Sequence, residues 1–289
     1  MKKILIVLFT LLLLCGCSNS HNSKIANGEE VIFVDSDGKN YTKADLYDDM
    51  MTGSSASSYL TNDLILKLAK LENVDLETIK KEAQDDANEA IEAGQEYYIT
   101  YYYGSVDNYI KQMTPYLALN ELKKQYVEAD LNTYVEDYLP FQAQIIYFDE
   151  MENATNTLKD INENGKEFIE AATLNGYTEE ITTTLYHNAA NDLPTQVIEY
   201  VVNNGVGVSY VIETENVTTV GEEQTSTPRY YLVNIISKDV ADFKDEFIES
   251  VLEDVDQNTV LTNLLNKYEV NIYDQRAYDL LTSTYEVLK

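Results

Sequence analysis

The chain has few side chains that can act as nucleophiles or exchange a proton near neutrality. Its 289 residues include two histidines, His21 and His187, and two cysteines, Cys15 and Cys17. His187 stands in the polar stretch ITTTLYHNAAND, and Asp192 is its nearest acidic neighbour downstream. An imidazole beside a carboxylate makes at best a weak polar site, and His187 is the one candidate for it. It is too isolated for a Ser-His-Asp hydrolase or an imidazole-bound metal. The acidic pairs Asp48-Asp49 and Asp85-Asp86 fall on helical patterns, where a solvated face accounts for them. Asp35-Ser36-Asp37-Gly38 opens like a calcium loop. Its glycine comes two positions early and no glutamate closes it, so it reads as a hairpin turn. No spacing assembles a metal or cofactor site, and neither is expected.

The cysteines belong to the opening segment, MKKILIVLFTLLLLCGCSNS. Lys2 and Lys3 precede an apolar run from Ile4 to Leu14. That run falls short of the roughly 20 residues a permanent transmembrane helix needs. Leu14-Cys15-Gly16-Cys17 fits a bacterial lipobox, in which the small residues admit a signal peptidase and the Cys17 thiol takes the lipid. Residues 1–16 read as a lipoprotein signal peptide and 17–29 as a polar, lipidated tether. Cleavage removes Cys15 and lipidation consumes Cys17. The mature chain then has no free thiol, which excludes disulfides, thiolate catalysis and cysteine-bound zinc. Two acyl chains hold a protein stably on a membrane, here its outer face.

Charge narrows the partners further. Fifty acidic residues against 20 basic ones give a formal net charge of −30. Such a surface repels nucleic acid and anionic head groups. It suits solubility, cationic ligands or loose divalent-ion binding, and a solvated acidic surface is the simplest account. The chain has 24 tyrosines and no tryptophan. A tyrosine carries an apolar ring and a polar tip, so it serves half-buried surfaces.

The elements that must position these groups fall into two kinds. Val31 to Val34 is a strand-like run before the hairpin turn. Thr42 and Asp45 make a capping box for a helix through Leu46 and Met50. Leu60, Leu64, Leu68 and Leu71 keep helical spacing, and Asp75 caps a helix through Ile79, Ala83, Ala87 and Ile91. In QEYYITYYYGS, Tyr97 with Tyr101 and Tyr98 with Tyr102 form two aromatic columns on a helix. Such a surface could hold unfolded chains, but stripes at this spacing usually pack as core, and that is the reading preferred. Helical patterns continue to Tyr138, so residues 42 to 138 are almost all helix. Pro140 then punctuates. A strand through Ile145 to Phe148 leads to helices around Ala154–Ile161 and Phe168–Ala172. Ile181–Tyr186 is strand-prone, Leu193–Val202 helical, and Val208–Glu213 and Arg229–Ile236 are strands. Between the last two lies a polar excursion, NVTTVGEEQTST. Helices through Phe243–Val255 and Leu261–Leu265 follow.

This order of parts resembles the parvulin-type extracytoplasmic foldase lipoproteins of Gram-positive bacteria, the PrsA-like family. GKNYTKADLYDDMM resembles the family's opening segment, and VDLETIKKEAQ and VEADLNTYVEDY resemble two of its helix starts. AQIIYF followed by NTLKDINENGKEFIEAA resembles the first parvulin strand and helix. LPTQVIEYVVNNGVGVS resembles the parvulin helix with its glycine turn and serine, YLVNIISK the last parvulin strand, and KYEVNIYD a closing strand-like tail. The resemblance implies an α+β fold, mostly helical in its N- and C-terminal chaperone-like parts (30–138 and 240–289). An α/β domain of the parvulin, FKBP-like type is inserted at 139–239. It implies unfolded or partly folded exported proteins as partners, an anchor in the membrane through Cys17, and it allows a homodimer.

The same resemblance exposes a gap. Parvulins catalyse prolyl cis–trans isomerisation with two histidines on neighbouring strands, an acidic or thiol residue and an apolar pocket. Where the first strand carries His, this chain has Ile145. Where the last strand reads His-Ile-Ile, it has Asn234-Ile235-Ile236. The family's glycine-rich loop is replaced by ITTTLYHNAAND, which has no glycine, so its backbone must take another path. Glu179 and Glu180 fall near the acidic position. The expected function is therefore that of a membrane-anchored foldase or chaperone whose parvulin-like domain has lost its catalytic histidines, with no catalytic residue assigned. An active prolyl isomerase with a remodelled pocket is the first alternative. A solute- or surface-binding lipoprotein is the second, and it predicts two similar α/β lobes.

Overall fold

The computed structural model describes residues 25–34, 37–52, 56–188, 193–220 and 223–283. The signal peptide with Cys15 and Cys17, His21, Asp35-Ser36 and Asp192 lie outside these residues. Contacts divide the chain into two units: one comprises the residues up to Gln125 together with those from Asp254 onward, the other Tyr126–Glu253.

The first unit is helical. It opens with an antiparallel pair, β1 (Val31–Val34) and β2 (Asn40–Thr42), turned at Gly38 with φ of +80°. Phe33 stacks on Tyr41 across the pair at 4.6 Å. Helices α1 (Lys43–Thr52), α2 (Ala56–Leu71), α3 (Leu76–Glu92), α4 (Glu96–Tyr103) and α5 (Val106–Ala129) follow. Their starts obey the local chemistry. The Thr42 N–H donates to the Asp45 carboxylate at 2.8 Å and the Asp45 N–H donates to Thr42 Oγ1 at 3.2 Å, a reciprocal capping box. Asp75 accepts from the N–H groups of Glu77 and Thr78 at the head of α3. Ile65, Leu68, Ala69, Ile79, Ala83 and Ala87 are buried, the stripe that the leucine and alanine spacing of α2 and α3 predicts.

The chain's end completes this unit. α11 (Gln257–Lys267) and α12 (Gln275–Thr282) lie against α2 and bury Val260, Leu261, Leu265 and Leu281. The closing KYEVNIYD tail forms no strand, and α12 was not legible in the periodicity. Polar pairs tie the two ends of the sequence together. Lys267 meets Glu72 at 2.6 Å, the Tyr268 hydroxyl donates to the Leu71 carbonyl at 3.1 Å, and Arg276 meets the Asp48 carboxylate at 2.7 Å.

One expectation fails here. Tyr97, Tyr98, Tyr101 and Tyr102 form the two columns that their spacing requires, with ring centroids 5.6 and 4.6 Å apart, but they are not core. They are 76, 49, 66 and 65% exposed, and α4 buries Ile99 instead. A helix needs only one stripe to dock, and eight residues supply that stripe with a single isoleucine.

The second unit is α/β. β3 (Phe141–Phe148), β4 (Thr184–Tyr186), β5 (Gly207–Val208), β6 (Ile212–Val220) and β7 (Glu223–Ser237) form a five-stranded sheet. Its order is β4-β3-β7-β5, with β6 also paired to β7, and every pairing is antiparallel. α7 (Met151–Asn164) and α8 (Phe168–Leu174) cover one face, where Ile146, Phe148, Leu232, Ala154, Phe168 and Ala172 cluster. α9 (Thr195–Asn203) covers the other, with Phe141, Ala143, Val197, Val201, Val233 and Ile235. The stretch read as a polar excursion is the hairpin of β6 and β7, paired from Ile212↔Tyr231 to Val220↔Glu223. Its Val and Thr residues are β-branched and suit a strand, although few residues of the stretch are apolar. The unit also takes in α6 (Leu131–Tyr138) and α10 (Lys244–Val251). Tyr138 meets Phe247 edge-on at 6.3 Å, and Lys244 pairs with Glu128 at 2.7 Å.

Asp160 staples α7 to the end of α8. Its carboxylate accepts from Asn164 at 2.7 Å, Asn175 at 3.0 Å and Lys166 at 3.4 Å, and the asparagine bonds hold its pKa below the usual value. A depressed pKa stabilises the fold fully above the unfolded value, near 4, and this is lost as pH falls through the folded value. Asp160→Asn is therefore expected to lower the urea midpoint near pH 7. The gap from wild type should shrink steadily below about pH 4. A gap that is the same at both ends of that range would contradict the assignment.

Candidate functional site

The pleat of β3 and β7 decides which side chains can act together. Gln144 stands opposite Asn234, Ile145 opposite Val233 and Ile146 opposite Leu232. Residues directly opposite share a face, and neighbours along a strand alternate. Ile145 and Val233 thus face α9, and Gln144 and Asn234 face the side of α7 and α8. Ile145 and Asn234, paired by the resemblance as halves of one site, lie on adjacent strands but on opposite faces. The offset is one residue, which a period of two turns into the other side of the sheet.

Each face has its own chemistry. Around Ile145 the interior is filled: Ala143, Val197, Val201, Ile212, Val233 and Ile235 are buried, and Ile145, Tyr147, Tyr186 and Tyr200 pack against them. At the rim, Tyr147 lies 5.6 Å from Tyr231, and the Arg229 guanidinium sits 4.1 Å from the Tyr147 ring centre. Beside this cluster an open groove of about 370 Å³ runs between α9 and β6, lined by Glu199, Tyr200, Asn203, Tyr210 and Glu213. Tyr200 and Tyr210 meet edge-to-face at 5.3 Å. Burial raises the Tyr200 and Tyr186 phenols above their ordinary pKa, so they stay neutral hydrogen-bonding groups. On the opposite face the Asn234 amide donates to Gln144 Oε1 at 3.0 Å, and Gln144 donates to Thr183 Oγ1 at 3.3 Å. Two amides and a hydroxyl can orient a peptide group, but none exchanges a proton near neutrality.

His187 joins neither face. It follows β4, whose register runs from Thr184↔Ala143 to Tyr186↔Phe141, away from Gln144. At about 3.3 Å per residue, His187 lies about 13 Å along the strands from the Gln144–Asn234 pair. Its ring packs edge-on to Tyr138 at 5.4 Å, and its Nδ1 is buried without a hydrogen-bond partner. Asn188 donates from its backbone to the Tyr138 carbonyl and from its side chain to that of Asp137, both at 2.8 Å. This corner docks the end of α6. Burial raises the Tyr177 phenol above its ordinary pKa, and the charge of the nearby Glu179 carboxylate adds to the rise. Among the described residues no cluster of three His, Cys, Asp or Glu side chains is placed to hold a metal.

Two residues that hold the site were not singled out for it by their sequence. Ser209 is buried. Its hydroxyl accepts from the Val233 N–H at 2.9 Å, and its own N–H donates to the Val233 carbonyl at 2.7 Å. The serine thus takes the place of a strand neighbour where β5 ends, and the glycine turn before it was the available signal. Lys238, just past β7, donates to the carbonyls of Val201, Val202 and Asn204 at 2.8, 3.3 and 3.0 Å, capping α9. Ser209→Ala would leave a buried N–H unpaired opposite Ile145, at a cost of about 1–3 kcal/mol. Urea titration of the variant should show that loss with an unchanged slope, and a loss below about 0.5 kcal/mol would contradict the pairing.

No protein-family model matches the chain. Two foldase proteins PrsA of Streptococcus agalactiae, from strains A909 and NEM316, are each 24% identical to it over 302 residues. The alignments cover 96% of this chain and 92% of theirs. Among solved structures, foldase protein PrsA from Streptococcus pneumoniae is 18% identical with a TM-score of 0.46. It covers 87% of this chain and 99% of its own. The peptidylprolyl isomerase PrsA from Bacillus cereus is 13% identical with a TM-score of 0.42, over 90% of this chain and 99% of its own. The sequence relationship spans nearly all of both chains, and it supports placing this chain with the PrsA-like foldases.

Proposed function

We propose that this protein is an extracytoplasmic foldase or chaperone, tethered to the outer face of the cytoplasmic membrane through lipid on Cys17. It assists exported proteins by contact and not by catalysed bond rotation. The relatives named foldase support the general role. The observation that carries the contact mechanism is the arrangement of β3 and β7: an apolar, filled face at Ile145–Val233 and an amide pair at Gln144–Asn234. Prolyl isomerisation must cross a barrier of about 18–20 kcal/mol, and the imidazoles that the resemblance expects on these strands are replaced by groups that do not titrate. The parvulin-like segment, 139–239, acts here as a binding module inserted into the helical part. Its groove between α9 and β6 offers tyrosine rings and hydrogen-bonding side chains to a client. Among the described residues no helix is long and apolar enough to cross a membrane.

Two experiments test this reading. In refolding of an unfolded client limited by a proline bond, the mature protein should suppress aggregation in proportion to its concentration and leave the slow phase unchanged. Acceleration of that phase, abolished by His187→Ala, would establish the isomerase alternative instead. Cys17→Ser should abolish incorporation of labelled palmitate and release the protein from the membrane fraction; a variant that stays bound would end the lipid assignment.

A further inference from the structure

The tyrosine face of α4 has no structural task. Ile99 alone is buried on this helix, and Tyr103 packs edge-on to Tyr109 of α5 at 4.8 Å. That contact and the left-handed Gly104 at its end are enough to fix the helix. The four remaining rings, at positions 97, 98, 101 and 102, stay in water and touch mainly one another. Tyr101 and Tyr102 meet edge-on at 5.0 Å, which joins the two columns into one continuous aromatic surface. Exposed rings of this kind cost solubility and return nothing to the fold. A helix of eight residues is marginal by itself, and tyrosine is a middling helix former, so propensity does not explain the choice.

The surroundings say what such a surface would take. From Glu82 to Ile110 the chain carries seven carboxylates and no lysine or arginine. Glu92 and Glu96 flank the start of α4 and are exposed, and Asp86 reaches far enough to help burial raise the Tyr109 phenol. The faces of tyrosine rings attract cations, and nearby carboxylates strengthen that attraction. Arginine satisfies both at once, since its planar guanidinium stacks on a ring while its N–H groups reach acidic oxygens. A neutral apolar segment would gain from the rings alone, and an acidic one would be repelled.

We propose that the tyrosine face of α4 is a docking surface for cationic, unstructured polypeptide segments, with arginine side chains stacked on Tyr97, Tyr98, Tyr101 and Tyr102. The proposal rests on the foldase reading and supplies its client chemistry: basic stretches of chains that have not yet folded. The surface is sequence-tolerant, because stacking and charge ask only for a guanidinium on a flexible chain.

Fluorescence anisotropy with the mature protein and labelled, unstructured Gly/Ser peptides tests it, one carrying four arginines and others carrying lysine or glutamate instead. The arginine peptide should bind more tightly than the lysine peptide, and the glutamate peptide not at all. Replacing all four tyrosines with leucine should weaken arginine-peptide binding about tenfold or more, whereas four phenylalanines should preserve it within about threefold. All four side chains are exposed, and circular dichroism checks that both variants fold. Equal binding of the glutamate peptide, an unaffected leucine variant, or capture of a neutral oligosaccharide with no affinity for the arginine peptide would each overturn the proposal. Client aggregation measured on the same proteins separates the two claims. Wild type that binds the arginine peptide but leaves aggregation unchanged keeps the surface and sinks the foldase reading. Aggregation suppressed without arginine-peptide binding sinks the surface alone.

Discussion

The pairing of β3 with β7 is the constraint on which the second unit depends. Its register sets which side chains look toward α9 and which toward α7 and α8, and both hydrophobic clusters follow from it. A slip of one residue would move Ile146, Phe148 and Leu232 to the α9 side and leave Ala154 and Phe168 without partners. The neighbouring elements secure that register from both ends. Ser209 grips Val233 from the side of β5, and Lys238 ties the strand's end to the last turn of α9. The bulge between Gln142 and Ala143 marks where the ladder gives way toward α6 and α10.

The ladder also accounts for the residues at positions 145 and 234. A sheet of this kind needs apolar residues wherever no function demands otherwise. Ile145 adds to the cluster with Val197 and Val233, and the Asn234 amide is satisfied by Gln144. Each residue suits its own side of the sheet. The tyrosines of the first unit show the reverse logic, with large rings kept in water while a single isoleucine anchors the helix. The second unit carries a groove lined by tyrosines and hydrogen-bonding side chains, and the first an exposed aromatic face.

Local chemistry was readable from the chain, and long-range geometry was not. Asp75, the Thr42–Asp45 box and the leucine spacing of α2 announce their helices because caps and stripes are encoded within a few residues. The strand ending at Phe148 was equally plain, bounded as it is by Pro140 and a helical pattern. The facing of Ile145 and Asn234 was not, because it depends on a register between residues ninety positions apart. The β6–β7 hairpin is hidden by polarity, since its Thr-rich sequence lacks the apolar–polar alternation that marks a half-buried strand. The exposure of the α4 rings is not encoded in the spacing, because periodicity shows which side chains share a stripe and not whether anything covers it. His187 is the one imidazole beyond the tether, and its ring packs on Tyr138 at the end of α6, where Asn188 makes the hydrogen bonds.

The hairpin has a consequence for how such a protein survives its own surroundings. β3 leaves β7 at Tyr230, so from Arg229 outward β6 and β7 make a ribbon with no third strand among the described residues. Two open rows of peptide groups invite any extended chain to add itself as another strand, and from there to polymerise. This ribbon carries Pro228, which lacks an N–H to offer, and opposite it the exposed carboxylate of Glu215. A prolyl nitrogen without a hydrogen and a carboxylate beside it disfavour the addition of a further strand along this edge.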